Sequence, residues 1–565
     1  MEIVPEADLS PRAGFLRREP ARIAVLLLFA GAIRLFHLGS VPPGLFCDEA
    51  AIAANADSLG LTGRDLGGEL LPLYAHERSF ERWNQTDIVY QPVYLYAAVP
   101  SVRVFGRSAT GVRLPAVLFG LLGVAGTYVL GRTLFGTGAA LWAAGLLAVS
   151  PWHVHFSRIG FEAISLPVFL AFGSWALFRG LTCPRFLLLG AGLLGIATYA
   201  YPSGRLFAPL LLAVFYGLQV RTLRERPGPA GAALALFALL VLPHLFMILA
   251  DVHQERLHRL LISTAPLENE RAAVFLRSAS GNALASAILG HRGALVPFTF
   301  LYNYVHYFSP SFLFLRGDPN PRHGLGAMGA CYWIYLPLLG CGLAFLFRER
   351  REAHVRFVLT WLFAYPIPAS LAIESPHAIR AITALPVLEL VAALGAARIL
   401  ALTGSAAAAS SPGLRRAAWG VVILVFVAGP AEVLFYLQRY HLDYPRTAAS
   451  AWQAGVGEGI RRATRERGPG QVAHVSADIL GSYLLVLVHG EVDLRSLARS
   501  GDLNARLAPF RYRILFPGEP VRLRKGDVAL LTSRERPGFP GLRPVAEFPF
   551  PDGSPNLFLG RSEVE

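Results

Sequence analysis

Apolar runs of about 20 residues recur along this 565-residue chain from Ala21 to Tyr436. Coiled as a helix, a run of that length crosses the ~30 Å hydrocarbon core of a bilayer. Lipid offers the backbone no hydrogen-bond partner but itself, so a helical membrane body is the architecture such runs allow. Composition agrees: 54% of residues are hydrophobic and 16% charged, against roughly 25% charged in soluble domains. After Tyr440 the runs stop, and the chain reads as two parts: a mainly α, polytopic membrane body over 1–440 and a small α/β domain over 441–565. In the tail, Ala451 to Arg467 reads as an amphipathic helix. Val472 to Val475, Val528 to Thr532 and Pro544 to Phe548 read as strands, with a hairpin turn at Pro551-Asp-Gly-Ser554.

The net charge of +14 would suggest nucleic acid in a soluble protein. Here the excess arginine lies in short loops, where the positive-inside rule accounts for it, and no nucleic-acid partner is expected. The clusters are Arg12 to Arg22, Arg132, Arg179 to Arg185, Arg221 to Arg226, Arg348 to Arg356 and Arg415-Arg416. About eleven spans put all of them on the cytoplasmic side: 22–38, 112–131, 138–156, 164–180, 186–201, 205–220, 230–250, 331–347, 355–373, 378–400 and 417–437. Gln91 to Phe105 is short and interrupted, and fits an interfacial or re-entrant helix. Loops 39–111, 157–163, 251–330 and 374–377 then lie outside, with the tail. Pro20 to Leu38 has no small-residue cleavage site after it and reads as a retained first helix. Cys47, Cys183, Cys331 and Cys341 show neither metal-ligand spacing nor a disulfide framework.

The outer loops hold the ionisable residues. Asp48 and Glu49 follow the first span in Val41-Pro-Pro-Gly-Leu-Phe-Cys-Asp-Glu-Ala50, and open an amphipathic stretch to Gly60 that would lie along the bilayer face. The plain role for Asp48 is to cap that stretch; the chemical one is to act as a base. Glu77, Arg78, Glu81 and Arg82 alternate in sign at helical spacing, as a solvated face does. The second loop carries His153, His155, Arg158 and Glu162, and the two histidines suit interfacial packing. The third ends in Asp318-Pro-Asn-Pro-Arg322-His323-Gly, and the fourth is Glu374-Ser-Pro-His377-Ala-Ile-Arg380. His377 and Arg380 one turn apart at a helix N-terminus would suit a phosphate, and anchoring to lipid headgroups is the bland counterpart.

In order and register, these elements resemble the GT-C superfamily of membrane glycosyltransferases. The match is to family 39-like members, alongside protein O-mannosyltransferases and lipid A aminoarabinose transferases. Five elements carry it: Asp48-Glu49 after the first helix, Gln91-Pro92-Val-Tyr-Leu-Tyr, Arg113-Leu-Pro, Ser150-Pro…Ser157-Arg158…Glu162, and His377-x-x-Arg380. The likeness covers roughly 20 to 440. The chain has Glu162 where relatives often carry Asp, and Gln91-Pro92-Val93 where they often carry Lys- or His-Pro-Pro.

The resemblance implies an integral protein of the cell (inner) membrane. It would move a sugar from a polyprenyl-phosphate carrier to a hydroxyl of a lipid, glycan or protein on the extracytoplasmic face, with inversion. Asp48 would be the base, with Glu49 orienting the acceptor or supporting Asp48. Arg380, His377, Arg158, Arg322 and His323 would face the donor phosphate. The cofactor is unknown; a divalent metal is possible, with Glu162 and His323 or His155 as ligands. A flippase for a polyprenyl-linked lipid is the main rival, although its ionisable groups would be expected near the midplane of the spans. A polysaccharide polymerase or ligase would share donor and site and differ in acceptor.

Overall fold

The computed structural model describes residues 19–78, 87–249, 260–265, 274, 278, 291–404, 411–499, 502–517, 519 and 522–563. The chain is mainly helical. Five helical runs among the described residues are long and apolar enough to cross a membrane: Ala109–Val149, Glu162–Gly180, Pro227–Met247, Ile382–Gly404 and Pro412–Thr447. Shorter apolar helices lie at Arg185–Ala197, Gly204–Leu218 and Tyr335–Arg348. Ala109–Val149 breaks at Gly136, whose φ of 85° is open to glycine and closed to most other residues. The break falls where the sequence separates spans 112–131 and 138–156. Leu239 and Phe246 of Pro227–Leu249, and Phe426 and Val427 of Pro412–Gln438, point apolar side chains outward, as lipid-facing helices do.

Inside the body, small residues set the helix spacing. Tyr335–Arg348 crosses Val387–Gly404 where Gly342 faces the Val391 carbonyl and Gly395 faces that of Leu338, and a Cβ on either glycine would overlap the oxygen. Such small-residue contacts let helices approach where no hydrophobic force drives them together.

Buried arginines tie the helices where they meet. Arg34 donates to the Ala148 carbonyl (2.8 Å) and bonds His153 Nδ1 (2.8 Å). Arg158 gives its two terminal nitrogens to the carbonyls of Ile33, Arg34, Phe36 and Val41 at 2.7 to 3.2 Å. These include the last carbonyls of the Glu19–Leu35 helix, which have no partner within it and which the helix dipole makes attractive to a cation.

Three sequence expectations are corrected here. The stretch after Asp48 is the helix Cys47–Thr62, but Ala50 to Ala54 and Asn55 are fully buried, so it is an internal helix and not one lying on the bilayer face. Its alanines make it slim enough to pack on all sides. Glu77 and Arg78 belong to strand β1 (Ala75–Arg78), paired antiparallel with β2 (Asp87–Tyr90), so their spacing is not helical; Glu81 and Arg82 lie outside the described residues. His377 and Arg380 sit in a turn before the tenth expected span, whose helix starts at Val387. Pro386 has no N–H and disfavours helix for the residue before it, and the regular helix gives way there to a single 3-10 turn, Ile382–Ala384.

The helical run from Pro412 continues to Thr447. Beyond it come the helix Val456–Glu466 and a five-stranded sheet in the order β4-β3-β5-β7-β6. The strands are β3 (Ala473–Ser476), β4 (Tyr512–Leu515), β5 (Val528–Thr532), β6 (Leu542–Phe548) and β7 (Leu557–Ser562). β3 runs parallel to β4 and β5, and β7 runs antiparallel to β5 and β6.

Candidate active site

The adjacent carboxylates Asp48 and Glu49 part company in the fold. Glu49 is completely buried and grips Arg113 through two oxygens at 2.8 Å each, while its Oε1 also accepts the Gly160 N–H (2.8 Å). Arg113 in turn donates to the carbonyls of Leu38, Pro42 and Gly44. Glu49 also reaches back to the Phe46 N–H at 3.4 Å, satisfying one donor of the helix start. This carboxylate is spent on folding the loop, and it has no surface on which to orient an acceptor. Asp48 is partly exposed and stands at the second position of the helix, one residue inside it, so it is not the cap: the residue at that position is Phe46.

A cationic loop comes up against the same residues. Arg322 lies over the Phe46 ring, 4.1 Å from its centre, two residues before Asp48 in sequence. Its backbone carbonyl is held by His155 Nε2 (2.8 Å), and the neighbouring Pro321 carbonyl by Tyr444 OH (2.6 Å). His155 is buried and spends its Nε2 on that carbonyl. His323 bonds Asp318 Oδ2 through Nδ1 (2.9 Å), and its ring packs on that of His377 with centroids 4.4 Å apart. Asp318 Oδ2 also accepts the Ala378 N–H (2.6 Å), which fastens the Asp318–His323 loop to the His377 turn. The His377 N–H donates to Tyr307 OH (3.1 Å). Burial, then the Arg380 guanidinium, holds the His377 imidazole well below the usual histidine range, so it is neutral in the resting site. Arg380 donates to the Ile373 carbonyl and to Glu374 (3.2 Å), and its partner carboxylate is largely exposed.

The geometry thus gathers Arg322, His323 and His377 beside the segment that bears Asp48, with Arg380 on the same turn as His377. Two expected members fall out. Arg158 is buried among carbonyls of the first helix and its following loop, so it is structural. Glu162 accepts the Gln91 N–H (2.8 Å) at the start of the helix Pro92–Phe105, and so serves that helix end. Among the described residues, the possible ligand atoms brought within 4.8 Å of one another are those of Asp318, His323 and His377, a set that shares only His323 with the expected one. Those three could hold a cation. Arg322 and Arg380 beside them favour an anion at the same place.

Asp318 is the residue that sequence reasoning quoted and did not assign. Its signal was the prolines around it: in Asp318-Pro-Asn320-Pro the side chains of Asp318 and Asn320 accept the N–H two residues on, a compact turn that aims Arg322 and His323. If the cationic cluster holds a lipid phosphate, Arg322→Ala should weaken binding of a polyprenyl phosphate about 10- to 100-fold, the worth of one charged hydrogen bond. Arg158→Ala should instead lower thermal stability. Equal losses of lipid affinity in both variants, measured on the purified protein in nanodiscs, would contradict the division of roles.

This arrangement, a carboxylate and clustered cations at one end of a buried helical body, is seated on the fold of the GT-C superfamily of membrane glycosyltransferases. Residues 90–247 match the family model for dolichyl-phosphate-mannose-protein mannosyltransferase. The chain is similar over 97% of its length to ArnT of Cupriavidus metallidurans, solved with undecaprenyl phosphate bound. That match has a TM-score of 0.54 and 14% identity, and covers 98% of the ArnT chain. It is also similar to the oligosaccharyltransferase of Archaeoglobus fulgidus tethered to an acceptor peptide, with a TM-score of 0.52, 12% identity and coverage of 97% and 74% of the two chains. No curated protein sequence matches the chain significantly.

Proposed function

We propose that the chain is an inverting glycosyltransferase that takes a sugar from a polyprenyl-phosphate carrier and delivers it to an acceptor hydroxyl at the extracytoplasmic face of the inner membrane. One observation carries the reading: Glu49 is locked in a buried ion pair while its neighbour Asp48 stays partly exposed beside the Arg322 loop. The arginine distribution supports eleven spans with Asp48, the His323 and His377 loops and the tail all outside. The undecaprenyl phosphate in the ArnT structure supports a lipid-linked donor.

In this mechanism Asp48 accepts the proton of the attacking hydroxyl as its oxygen bonds the anomeric carbon. The bond from that carbon to the phosphate oxygen breaks, and polyprenyl phosphate leaves. Single displacement inverts the centre and needs one essential carboxylate, by analogy with inverting glycoside hydrolysis. The leaving phosphate gains charge as it departs, so Arg322 and Arg380 stabilise the transition state more than the ground state. Asp318 holds the His323 ring beside them through Nδ1 (2.9 Å).

The test is transfer by the purified protein from undecaprenyl phosphate carrying mannose, glucose or aminoarabinose, with the configuration of the product read by NMR. The expected result is an inverted glycoside and free undecaprenyl phosphate. Movement of intact donor across a vesicle bilayer without cleavage would replace this reading with the flippase.

A further inference from the structure

The segment that follows the last apolar helix reaches back to the first turn of the Asp48 helix, and it does so through one side chain. Cys47 opens that helix, and its N–H has no partner within it. It donates to Gln453 Oε1 at 2.8 Å. The other end of the same amide, Nε2, donates to the Leu480 carbonyl at 2.6 Å. Residue 453 is held at φ 54°, a left-handed conformation that side chains other than glycine seldom adopt. Strain of that kind persists only where the surroundings enforce it. Here they do: Trp452 beside it is fully buried, with its indole N–H on Tyr444 OH (2.7 Å), its ring edge-on to Phe46, and Arg113 over its face.

Gly481, next to Leu480, also meets residue 47. Its φ is 67°, and a Cβ there would overlap Cys47 Cβ. Residue 47 is thus gripped between Gln453 and Gly481, both far along the chain, while Tyr444 of the same segment holds the Pro321 carbonyl beside Arg322. Carboxylate and cations are referenced to one stretch, 444–453.

We propose that Gln453 is a positioning residue for the transfer reaction: by holding the Cys47 N–H against the Leu480 loop it fixes the first turn of the helix, and with it the aim of Asp48. This rests on Asp48 being the base. Gln453 touches neither donor nor acceptor. It acts through Cys47, and makes the C-terminal part of the chain a component of the catalytic site and not a cover over it. A base displaced by about 1 Å loses on the order of 100-fold in rate, so a loose first turn costs turnover before it costs donor binding.

The experiment compares wild type with Gln453→Ala, Gln453→Glu and Gly481→Ala as full-length protein in nanodiscs. Hydrogen exchange, undecaprenyl phosphate affinity and transfer from undecaprenyl-phosphate mannose, glucose and aminoarabinose are all measured. Gln453→Ala should speed amide exchange in a peptide covering 46–50 by about tenfold or more, leave lipid affinity within about twofold, and lower kcat roughly 10- to 100-fold. Gln453→Glu keeps an acceptor for Cys47, loses the donor to the Leu480 carbonyl and adds a negative charge near Asp48. It should restore exchange protection only in part and shift the acid limb of the rate profile upward, since a like charge raises a carboxylate's pKa. Gly481→Ala should reproduce the exchange change with Gln453 intact. Unchanged exchange and kcat in Gln453→Ala would overturn the proposal, as would a kcat loss matched by lost lipid affinity and a lower Tm. Asp48→Asn run alongside separates the two ideas: if it keeps full transfer, the proposed function falls; if it is inactive while Gln453→Ala is normal, only the positioning role falls.

Discussion

Asp48→Asn accumulates at wild-type levels, still binds undecaprenyl phosphate, and loses transfer by a factor on the order of 100 to 10,000, the usual worth of a general base. The fold makes this a clean substitution. Asparagine matches aspartate in shape, and the residue at the cap of the helix is Phe46, so no capping hydrogen bond of Asp48 is at stake. The meeting of its carboxylate with the helix N-terminus is worth about 0.3–1 kcal/mol, and the asparagine oxygen can still accept from the Cys47 thiol. A collapse in turnover would therefore report chemistry. Near-normal transfer would remove Asp48 as the base and could not pass the role to Glu49, which has no exposed surface. Glu162 would then be the carboxylate to test.

Breaking the Glu49–Arg113 pair has the opposite signature. Both side chains are fully buried, so removing one partner strands the other charge in the interior, at a cost of about 3–5 kcal/mol. Arg113→Met and Glu49→Ala should each lower Tm markedly in a detergent-solubilised thermal scan, and reduce the yield of folded protein. Glu49→Gln should be milder, because its oxygen can still accept the Gly160 N–H. It should also harm transfer less than Asp48→Asn. Wild-type stability in Arg113→Met would mean that the pair does not hold the loop in place.

The membrane body could be read from the sequence because the signal there is local: apolar runs, with Gly136 and the arginine loops as punctuation. The strands expected at 472–475, 528–532 and 544–548 lie in the five-stranded sheet for the same reason, short β-rich runs between turn residues. Of the site, the acidic pair, the Arg322-His323 loop and the His377 turn stood out as ionisable groups beside apolar helices. Their roles did not. Nothing in Asp48-Glu49 says which of the two meets an arginine 64 positions along the chain, and nothing in Ser157-Arg158 says that its guanidinium will find four carbonyls of the first helix and loop. Those choices are made by packing between distant segments. The helical spacing of His377 and Arg380 misled because one proline, Pro386, outweighs a periodic pattern.

The most direct measurement is a structure of the protein in nanodiscs with undecaprenyl phosphate bound. Phosphate oxygens should lie within hydrogen-bond distance of Arg322 and of at least one of His323, His377 and Arg380, with the Asp48 carboxylate opening onto the same space. A phosphate seated away from all four, for instance at the arginine loops 179–185 or 348–356, would contradict the proposed function.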